Sequence, residues 1–293
     1  MSISIRRVGP GRFAGEVAGL DMRKPMTIEE IAAIHAGMDQ YGVLVFHDQH
    51  VSDEQQLAYS RALGPLEQAT GDIAAPEDRR LSMDVGDISN LDKHNRILPR
   101  DDRRRLFGLG NQLWHSDSSF KPIPAKYSIL SARQIPDGGG DTEFADMRAA
   151  YDTLDEKTKR EVQDLICLHS QIFSRGILGF TQFTDAERVK WAPVRQRMVR
   201  KHPTTGRLSL YLSSHAGEIE GWPVPEARAF LRDLVEHATQ RKFVYAHKWK
   251  PFDIVMWDNR VTMHRARRYD YGQVRDMRRT TLTNEVSSLE QAP

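Results

Sequence analysis

Apolar side chains recur at helical spacing early in the chain and then form short runs. Their three- and four-residue spacing predicts an amphipathic helix over residues 26–40. The run Val43–Phe46 predicts a short buried strand directly after it. A capping box that begins at Ser52 predicts a second helix, which continues to Leu63 and ends at a Gly-Pro pair.

The stretch from residue 66 to residue 106 is polar and rich in charge, and it ends close to the run RDDRRR at residues 100–105. Such runs are typical of solvated loops. This stretch also leads directly into the segment with the most informative chemistry, so a mobile lid over a site is the alternative interpretation. We expect residues 67–110 to form a mobile loop region beside that site.

Short strands dominate the rest of the pattern. Strands are predicted at residues 127–131, 197–201, 208–212, 243–249, 254–257 and 277–282. Helices are predicted at residues 146–166, with a capping box at Thr153, and at residues 225–240. This order contains no strand–helix–strand repeat, so it favours a mixed α/β fold that is mainly β, a sandwich or jelly roll with flanking helices.

The composition is that of an ordinary globular chain of 293 residues, with 39% hydrophobic and 28% charged residues. No repeat, low-complexity tract or Gly/Ser linker marks a boundary, so we expect a single domain over residues 1–293. The net charge of +2 argues against nucleic acid as the main partner, because nucleic-acid binding usually requires a basic surplus.

Cysteine content and hydropathy predict the compartment. Cys167 is the only cysteine, so no internal disulfide can form and a reducing cytoplasm is expected. The amino terminus lacks the apolar core of a secretory signal, and no run approaches the roughly 18 apolar residues that a membrane helix needs. The sequence therefore predicts a soluble cytoplasmic protein with no membrane partner.

Two widely separated segments carry candidate metal ligands. His115 and Asp117 form a His-x-Asp pair, and in an extended chain both side chains would project to the same face. Such a pair has little value alone, because the histidine and acid content of this chain produces one by chance. His264 follows a strand-like stretch and adds a second imidazole. Two histidines and one carboxylate on one side of an ion form the facial triad of non-haem Fe(II) oxygenases.

Two arginines follow the second histidine. Arg275 and Arg279 are four residues apart, so on a strand they share one face while Arg278 points to the other. A guanidinium near a metal can bind a carboxylate with two parallel hydrogen bonds. The alternative is an arginine-rich solvated surface, since residues 260–279 contain seven arginines. The spacing alone does not decide between these interpretations.

Together these residues resemble the taurine/2,4-dichlorophenoxyacetate dioxygenase family, whose members depend on Fe(II) and 2-oxoglutarate. The resemblance covers nearly the whole chain, from Val43 to Thr283, and it is strongest to the branch that acts on 2,4-dichlorophenoxyacetate (2,4-D). It rests on the longer segments Asn111–Phe120, Gly139–Asp152, Glu236–Trp249 and Met256–Arg260.

The resemblance implies a fold and a set of ligands. The family fold is a double-stranded β-helix, a cupin-like jelly roll with the metal between its two sheets. By position, His115, Asp117 and His264 would bind Fe(II). Thr142 and Arg275 would hold the distal carboxylate of 2-oxoglutarate.

The resemblance also implies contacts to an anionic small-molecule substrate. Arg279 would face the substrate anion and the iron-bound end of 2-oxoglutarate. Asn111 and the backbone amide of Ser118 sit where relatives contact substrate. Trp114 and Phe120 would be wall residues, although aromatic core packing explains them equally well. Relatives form dimers or tetramers, so a homo-oligomer is expected.

The implied reaction uses O2 as a second cosubstrate and hydroxylates the ether-adjacent carbon of an aryloxyacetate. The products are a phenol and glyoxylate, together with succinate and CO2. Relatives often have a basic residue in the loop where this sequence has Asp72, and an acid there would repel a carboxylate. We therefore expect Arg279 and the Ser118 amide to carry anion recognition.

Other functions remain to be weighed against this one. The same chemistry on a sulfonate or another aromatic carboxylate would use the same iron and cosubstrate residues. A redox-inert cupin-like metal protein would need the triad but not a carboxylate clamp made by Thr142, Arg275 and Arg279. A halogenase of related fold would have a small residue in place of Asp117, so the sequence excludes it. A noncatalytic binding module would not need this whole set of residues.

Overall fold

The computed structural model of this chain describes residues 3–9, 11, 13–68 and 73–293. Asp72, the acid at a position that is often basic in relatives, lies outside the described residues. Within the described ranges, no helix is both long enough and apolar enough to cross a membrane.

The described residues form eight α-helices. They are α1 (Ile28–Tyr41), α2 (Asp53–Leu63), α3 (Arg103–Gly108), α4 (Met147–Asp152), α5 (Glu156–Val162), α6 (Gln171–Ile177), α7 (Asp185–Lys190) and α8 (Val224–Ala238). The predicted capping box at Ser52 is confirmed, because its side chain accepts from the Gln55 amide and the Gln55 side chain returns to the Ser52 amide. Gly42 ends α1 with a φ of 79°, a left-handed conformation that glycine adopts without steric cost.

The predicted capping box at Thr153 is wrong. α5 begins after Asp155, whose carboxylate accepts hydrogen bonds from the backbone amides of Lys157 and Thr158, both at 3.0 Å. Thr153 instead closes α4, where its hydroxyl donates to the Ala149 carbonyl at 3.1 Å. The two candidate caps lie two residues apart, and an aspartate satisfies helix amides at least as well as a threonine does.

Sixteen strands complete the described fold. They are β1 (Ser4–Arg7), β2 (Ala14–Ala18), β3 (Val43–Phe46), β4 (Leu66–Glu67), β5 (Gly86–Asp87), β6 (Ala125–Gln134), β7 (Thr142–Asp146), β8 (Ile166–His169), β9 (Val194–Arg197), β10 (Val199–Lys201), β11 (Leu208–Leu210), β12 (Ala216–Ile219), β13 (Val244–His247), β14 (Ile254–Asp258), β15 (Thr262–Ala266) and β16 (Asp276–Thr283). The single strand predicted at residues 197–201 is two strands, broken at the buried Met198, which pair with β8 and β11.

The largest sheet has the order β1-β2-β3-β14-β6-β16-β4, with β5 paired to β16. β14 runs antiparallel between β3 and β6, and all of its residues are buried. One face of this sheet packs on α1 and α2 through a core that includes Ile34, Tyr59 and Met256. A central strand that is apolar on both faces must be covered on both faces. The face of the sheet opposite α1 and α2 supports the site.

A smaller sheet, β13-β7-β15, covers that second face. Phe144 of β7 packs in one core cluster with Leu130, Trp257 and Met277 from the larger sheet. Behind the smaller sheet lies a further core that contains Met263 together with residues of α4 and α8. The prediction of a mixed α/β fold with many short strands is confirmed, and the space between these two sheets is where the functional residues lie.

Candidate active site

The three predicted metal ligands come together between the two sheets. One ligand atom from each of His115, Asp117 and His264 lies within 4.8 Å of the others, and all three side chains are buried. Nε2 of His115 lies 3.8 Å from Oδ1 of Asp117, and Nε2 of His264 lies 3.7 Å from Oδ2 of the same carboxylate. These separations allow all three groups to bind one ion placed between them.

Backbone pairing holds the two histidines side by side. His115 and His264 form an isolated antiparallel bridge, with amide-to-carbonyl distances of 2.9 and 2.8 Å. Nδ1 of His115 donates to the Leu113 carbonyl at 2.7 Å, which leaves Nε2 with its lone pair toward Asp117. A second hydrogen bond of this kind fixes the tautomer and the orientation of a metal-binding imidazole.

Asp117 is held by groups from both long strands of the larger sheet. Its Oδ2 accepts from the Ser128 hydroxyl at 2.7 Å, and its Oδ1 accepts from Nη1 of Arg279. The Asn259 side chain accepts from the Asp117 amide at 3.0 Å and donates to Ser128 Oγ at 2.9 Å. The chain forms a bridge at His115 and turns at Asp117, and the two side chains still come together as predicted.

The protonation states suit a metal centre. Burial disfavours the charged carboxylate of Asp117, but Arg279 and the two histidines outweigh it and lower its pKa to about 2. Burial also lowers the pKa of His115 and moves that of His264 well below its ordinary value. Two neutral imidazoles and one carboxylate are the protonation states that a divalent ion requires. The donor set therefore fits Fe(II), with positions left open for other ligands.

Thr142 and Arg275 lie beside the triad in a small cavity of about 30 Å³ that Asn111 and Arg279 also line. Arg275 is 4% exposed, and Nη1 donates to the Ile88 carbonyl at 3.3 Å. No carboxylate among the described residues pairs with it, and burial lowers its pKa. Nε1 of Trp249 donates to the Thr142 hydroxyl at 3.0 Å, so that hydroxyl is free to donate elsewhere.

The structure confirms that Arg275 and Arg279 face the same side and that Arg278 faces the other. Arg275 lies one residue before β16 and Arg279 lies within it, and both line the cavities. Arg278 points away and pairs with Asp53 and Asp276. The interpretation as an arginine-rich solvated surface is therefore wrong for Arg275 and Arg279.

A larger cavity of about 240 Å³ opens on the triad and holds the other predicted contacts. Its lining includes Asn111, Ser118 and Phe120. Ser118 has a φ of 53°, and its hydroxyl donates to Glu67 Oε1 at 2.5 Å. Lys121 pairs with the same Glu67 oxygen at 2.8 Å, so this acid is balanced at the edge of the site.

The charged stretch before the triad forms one wall of that cavity. Arg80 ties this wall to β16 through Asp87 and Asp276, at 2.8 and 2.6 Å. Trp114 does not line either cavity; it packs in the core behind the smaller sheet, with the Arg265 guanidinium 4.6 Å from its ring. For Trp114 the core-packing interpretation is the correct one.

Sequence reasoning missed several contributors. Ser128 and Arg175 lie in segments without a chemical signature, and a serine within a strand or one arginine among many gives no signal. Trp249 and Asn259 lie inside the segments that carried the family resemblance, so their participation could have been found by asking which polar atoms those segments place near the ligands.

Comparison with known proteins gives the class of this chain. Residues 4–281 match the profile of the family described as "Taurine catabolism dioxygenase TauD, TfdA family". The chain belongs to this family, and the predicted family membership is confirmed. The prediction of an enzyme of the 2-oxoglutarate-dependent dioxygenase type is confirmed with it.

Particular relatives are similar over almost the whole chain. An alpha-ketoglutarate-dependent 2,4-dichlorophenoxyacetate dioxygenase from Cupriavidus pinatubonensis is 43% identical, covering 94% of this chain and 96% of the relative. An (S)-phenoxypropionate/alpha-ketoglutarate-dioxygenase from Sphingobium herbicidovorans is 37% identical, covering 87% and 86%. The crystal structure of AAD-2 in complex with Mn(II) and N-oxalylglycine is 55% identical, with a TM-score of 0.91, covering 98% of this chain and 99% of that one.

Proposed function

We propose that this protein uses Fe(II), 2-oxoglutarate and O2 to hydroxylate the ether-adjacent carbon of an aryloxyacetate such as 2,4-D. The products are a phenol and glyoxylate, with succinate and CO2 from the cosubstrate. The observation that carries the proposal is that the His115–Asp117–His264 cluster shares its cavity with Arg275, a buried cation that has no acid partner among the described residues. A redox-inert metal protein has no need for such a costly buried charge.

His115, Asp117 and His264 would hold Fe(II). When bound, Fe(II) supplies the activation of O2 that drives hydroxylation, coupled to oxidation of 2-oxoglutarate to succinate and CO2. The backbone bridge keeps the two imidazoles aligned, and Ser128 and Arg279 hold the carboxylate between them. Residues held in this way need little reorganisation when the ion and its ligands bind.

Arg275 and Thr142 would bind the distal carboxylate of 2-oxoglutarate. The guanidinium offers a planar pair of donors, and the Thr142 hydroxyl adds a third because its acceptor side is occupied by Trp249. Both residues border the triad, so the opposite end of the same short diacid can reach the metal. We propose this pair as the cosubstrate clamp.

Asn111, Ser118 and Arg279 would contact the primary substrate, and Arg279 would also face the iron-bound end of the cosubstrate. All three line the larger cavity with two of the metal ligands. Arg279 also donates a hydrogen bond to the metal ligand Asp117, so it would lie between this ligand and the bound substrate. The enclosing wall would exclude water, which limits oxidation that is not coupled to the substrate.

The two facing sheets and the family membership support a double-stranded β-helix, the cupin-like jelly roll, as the core of one domain over residues 1–293. The predicted mobile region, residues 67–110, includes residues 69–72, which lie outside the described part of the chain. We propose that its described part, residues 67–68 and 73–110, closes over the bound substrate. Protection of this stretch from limited proteolysis by 2,4-D would support closure, and equal cleavage rates would contradict it. We also propose that the protein is a cytoplasmic homo-oligomer, a dimer or tetramer. Light scattering would measure its molar mass.

The decisive experiment measures succinate formation with Fe(II), 2-oxoglutarate and O2 against a panel of candidate substrates. The panel contains aryloxyacetates, 2-aryloxypropionates, cinnamates and short sulfonates, with a reaction lacking substrate as the control. We expect strong stimulation by an aryloxyacetate with an equal amount of phenol. The His264→Ala variant should lose this activity while it keeps the same thermal midpoint.

Each other outcome would change the proposal. Stimulation by a sulfonate alone would retain the chemistry and replace the substrate. If no compound exceeded the control, and calorimetry showed no binding of 2-oxoglutarate with Mn(II) present, the dioxygenase proposal would fail and a redox-inert metal protein would be favoured.

A further inference from the structure

Arg175 in α6 is a cation of the larger cavity for which the proposed reaction gives no role. Its side chain is buried, with 6% of the residue exposed, and Nη1 donates to Ser174 Oγ at 3.0 Å. Within the described part of the chain, Nε and Nη2 have no hydrogen-bond partner and no carboxylate pairs with this guanidinium. Burial lowers the pKa of Arg175 to about 10, so the side chain is still protonated near neutral pH.

The surrounding residues form a cradle for this charge. The Phe107 ring lies with its centroid 4.3 Å from the Arg175 guanidinium carbon. A Cβ atom added at Gly110 would lie only 2.5 Å from that carbon, so the backbone there also packs closely on the guanidinium. A buried cation without an acid costs stability, and a cation–π contact offsets only part of that cost. Such a fitted but uncompensated cation is explained when an anion supplied from outside completes the site.

Arg175 also lies close to the metal cluster. The hydroxyl that it contacts, Ser174 Oγ, lies 2.9 Å from Nδ1 of His215. The His215 ring in turn lies 5.9 Å from the ring of His115. In an aryloxyacetate the carboxylate is bonded directly to the carbon that reacts. The protein group that binds this carboxylate must therefore lie near the metal ligands and must line the cavity.

Of the other arginines that line this cavity, Arg105 is more exposed than Arg175 and donates to the Leu98 carbonyl at 3.2 Å. Arg279 contacts Asp117, Arg104 pairs with Asp102 at 2.7 Å, and Arg275 is assigned to the cosubstrate. We propose that the guanidinium of Arg175 binds the carboxylate of the primary substrate, and thereby selects organic acids. This inference rests on the proposed function. It also supplies the cation that an anionic substrate needs, in addition to Arg279 and the Ser118 amide.

The test measures substrate affinity without turnover. Calorimetry would follow 2,4-D binding to the protein loaded with Mn(II) and N-oxalylglycine, which replaces a methylene of 2-oxoglutarate by NH. We expect Arg175→Gln to weaken 2,4-D binding by about 10- to 100-fold, the loss typical of hydrogen bonds to a charged group. The affinity for N-oxalylglycine should stay within about twofold, because Arg275 remains.

A neutral ligand separates charge recognition from shape. The amide of 2,4-D has the same ring and ether but no charge, so the wild-type protein should prefer the acid. Arg175→Gln should show a smaller preference for the acid than the wild type, because only Arg279 and the Ser118 amide remain to bind the anion. Equal acid-over-amide preference in wild type and variant would overturn the proposal.

Two further variants control the result. Arg104→Gln removes a cavity charge that Asp102 already balances, so it should leave 2,4-D binding unchanged. Gly110→Ala displaces the guanidinium without removing it, and should weaken 2,4-D binding while N-oxalylglycine binding is kept. Gly110→Ala provides the test if Arg175→Gln does not fold, and unchanged 2,4-D binding in it would count against the proposal.

Stability distinguishes a binding residue from a structural one. Because no carboxylate among the described residues pairs with Arg175, we expect Arg175→Gln to unfold at a temperature equal to or above that of the wild type. A lower midpoint with normal 2,4-D affinity would make the residue structural and overturn the inference. If the wild-type protein itself binds no aryloxyacetate, the proposed substrate is wrong. If the wild-type protein binds it and Arg175→Gln binds it equally well, only the role of Arg175 is wrong.

Discussion

Buried arginines occur in two regions of this molecule with opposite surroundings. Beneath the larger sheet, Arg260 is 4% exposed and its Nη2 donates to Asp258 Oδ2 at 2.6 Å, with His202 3.4 Å from the same oxygen. In the cavity, Arg175 and Arg275 are equally buried, but no carboxylate among the described residues pairs with either. Burial opposes the charge in both regions, so the acid partner makes the difference.

The pKa shifts follow this contrast. Burial would lower the pKa of Arg260, but Asp258 reverses the shift and raises it. Burial lowers the pKa of Arg175 and Arg275, since no carboxylate of the described residues opposes it. A cation with an internal partner contributes to the folded state at all times. A cavity cation without one can be completed by an anionic ligand, so substitutions in the two regions should separate stability from binding.

The largest expected effect comes from removing the internal acid. Asp258→Asn leaves Arg260 buried without its counter-charge, which typically costs about 3–5 kcal/mol of the free energy of unfolding. Guanidinium denaturation would measure the loss, and the KM for 2-oxoglutarate in the folded enzyme should not change. A decrease in the free energy of unfolding of less than about 1 kcal/mol would contradict this prediction, because the pair would then stabilise the fold no more than a surface salt bridge does.

Removing a cation of the cavity should have the opposite pattern. Arg275→Gln should raise the KM for 2-oxoglutarate about 10- to 100-fold, because charged hydrogen bonds to its distal carboxylate are lost. The free energy of unfolding should be unchanged or increased, since an uncompensated charge is removed. Arg278→Gln, on the other face of the same strand and paired with Asp53, is the matched control and should leave that KM unaltered. Equal KM values in the two variants would refute the assignment of Arg275.

The pH dependence sharpens the same contrast. Although burial opposes its charge, Arg260 and His202 hold the pKa of Asp258 far below the value near 3.9 of an unfolded aspartate. When the pKa of a carboxyl is lower in the folded state, the ionised group stabilises the fold at pH values above its pKa in the unfolded state. This stabilisation is lost as the pH falls toward and through its pKa in the folded state. Between wild type and Asp258→Asn, the difference in unfolding free energy should be constant above about pH 5 and shrink by about 1.4 kcal/mol per pH unit below about pH 4. A difference that stays constant down to pH 3 would contradict the shift.

The smallest expected effect concerns a neutral hydrogen bond. Trp249→Phe removes the indole donor that fixes the Thr142 hydroxyl but keeps most of the ring packing. We expect the KM for 2-oxoglutarate to rise about 2- to 10-fold, the value of one neutral hydrogen bond. Steady-state kinetics with saturating substrate would measure it, and the melting temperature controls for packing. A KM identical to that of the wild type would show that Thr142 needs no help from Trp249.

Local patterns in the sequence determined much of the framework. β3 and α2 begin and end where apolar runs and a capping box predict. These signals act over a few residues, so they can be interpreted without the fold. Where two local signals compete, as at Thr153 and Asp155, the sequence alone gave the wrong cap. The family resemblance located His115, Asp117 and His264 for a similar reason, because it rests on contiguous segments.

Tertiary structure decided which charges are paired. Each of Arg260 and Arg275 has an aspartate within two residues in the sequence, and only the fold shows which one is paired. Arg260 pairs with Asp258, whereas the aspartate beside Arg275 pairs with other arginines and Arg275 faces a cavity. Arg175 has no local signature at all, because Phe107, Gly110 and His215 approach it from distant parts of the chain. The sequence determines which groups are available and how short segments fold. Which charged groups pair depends on where the fold directs each side chain, and packing of the two sheets sets those directions.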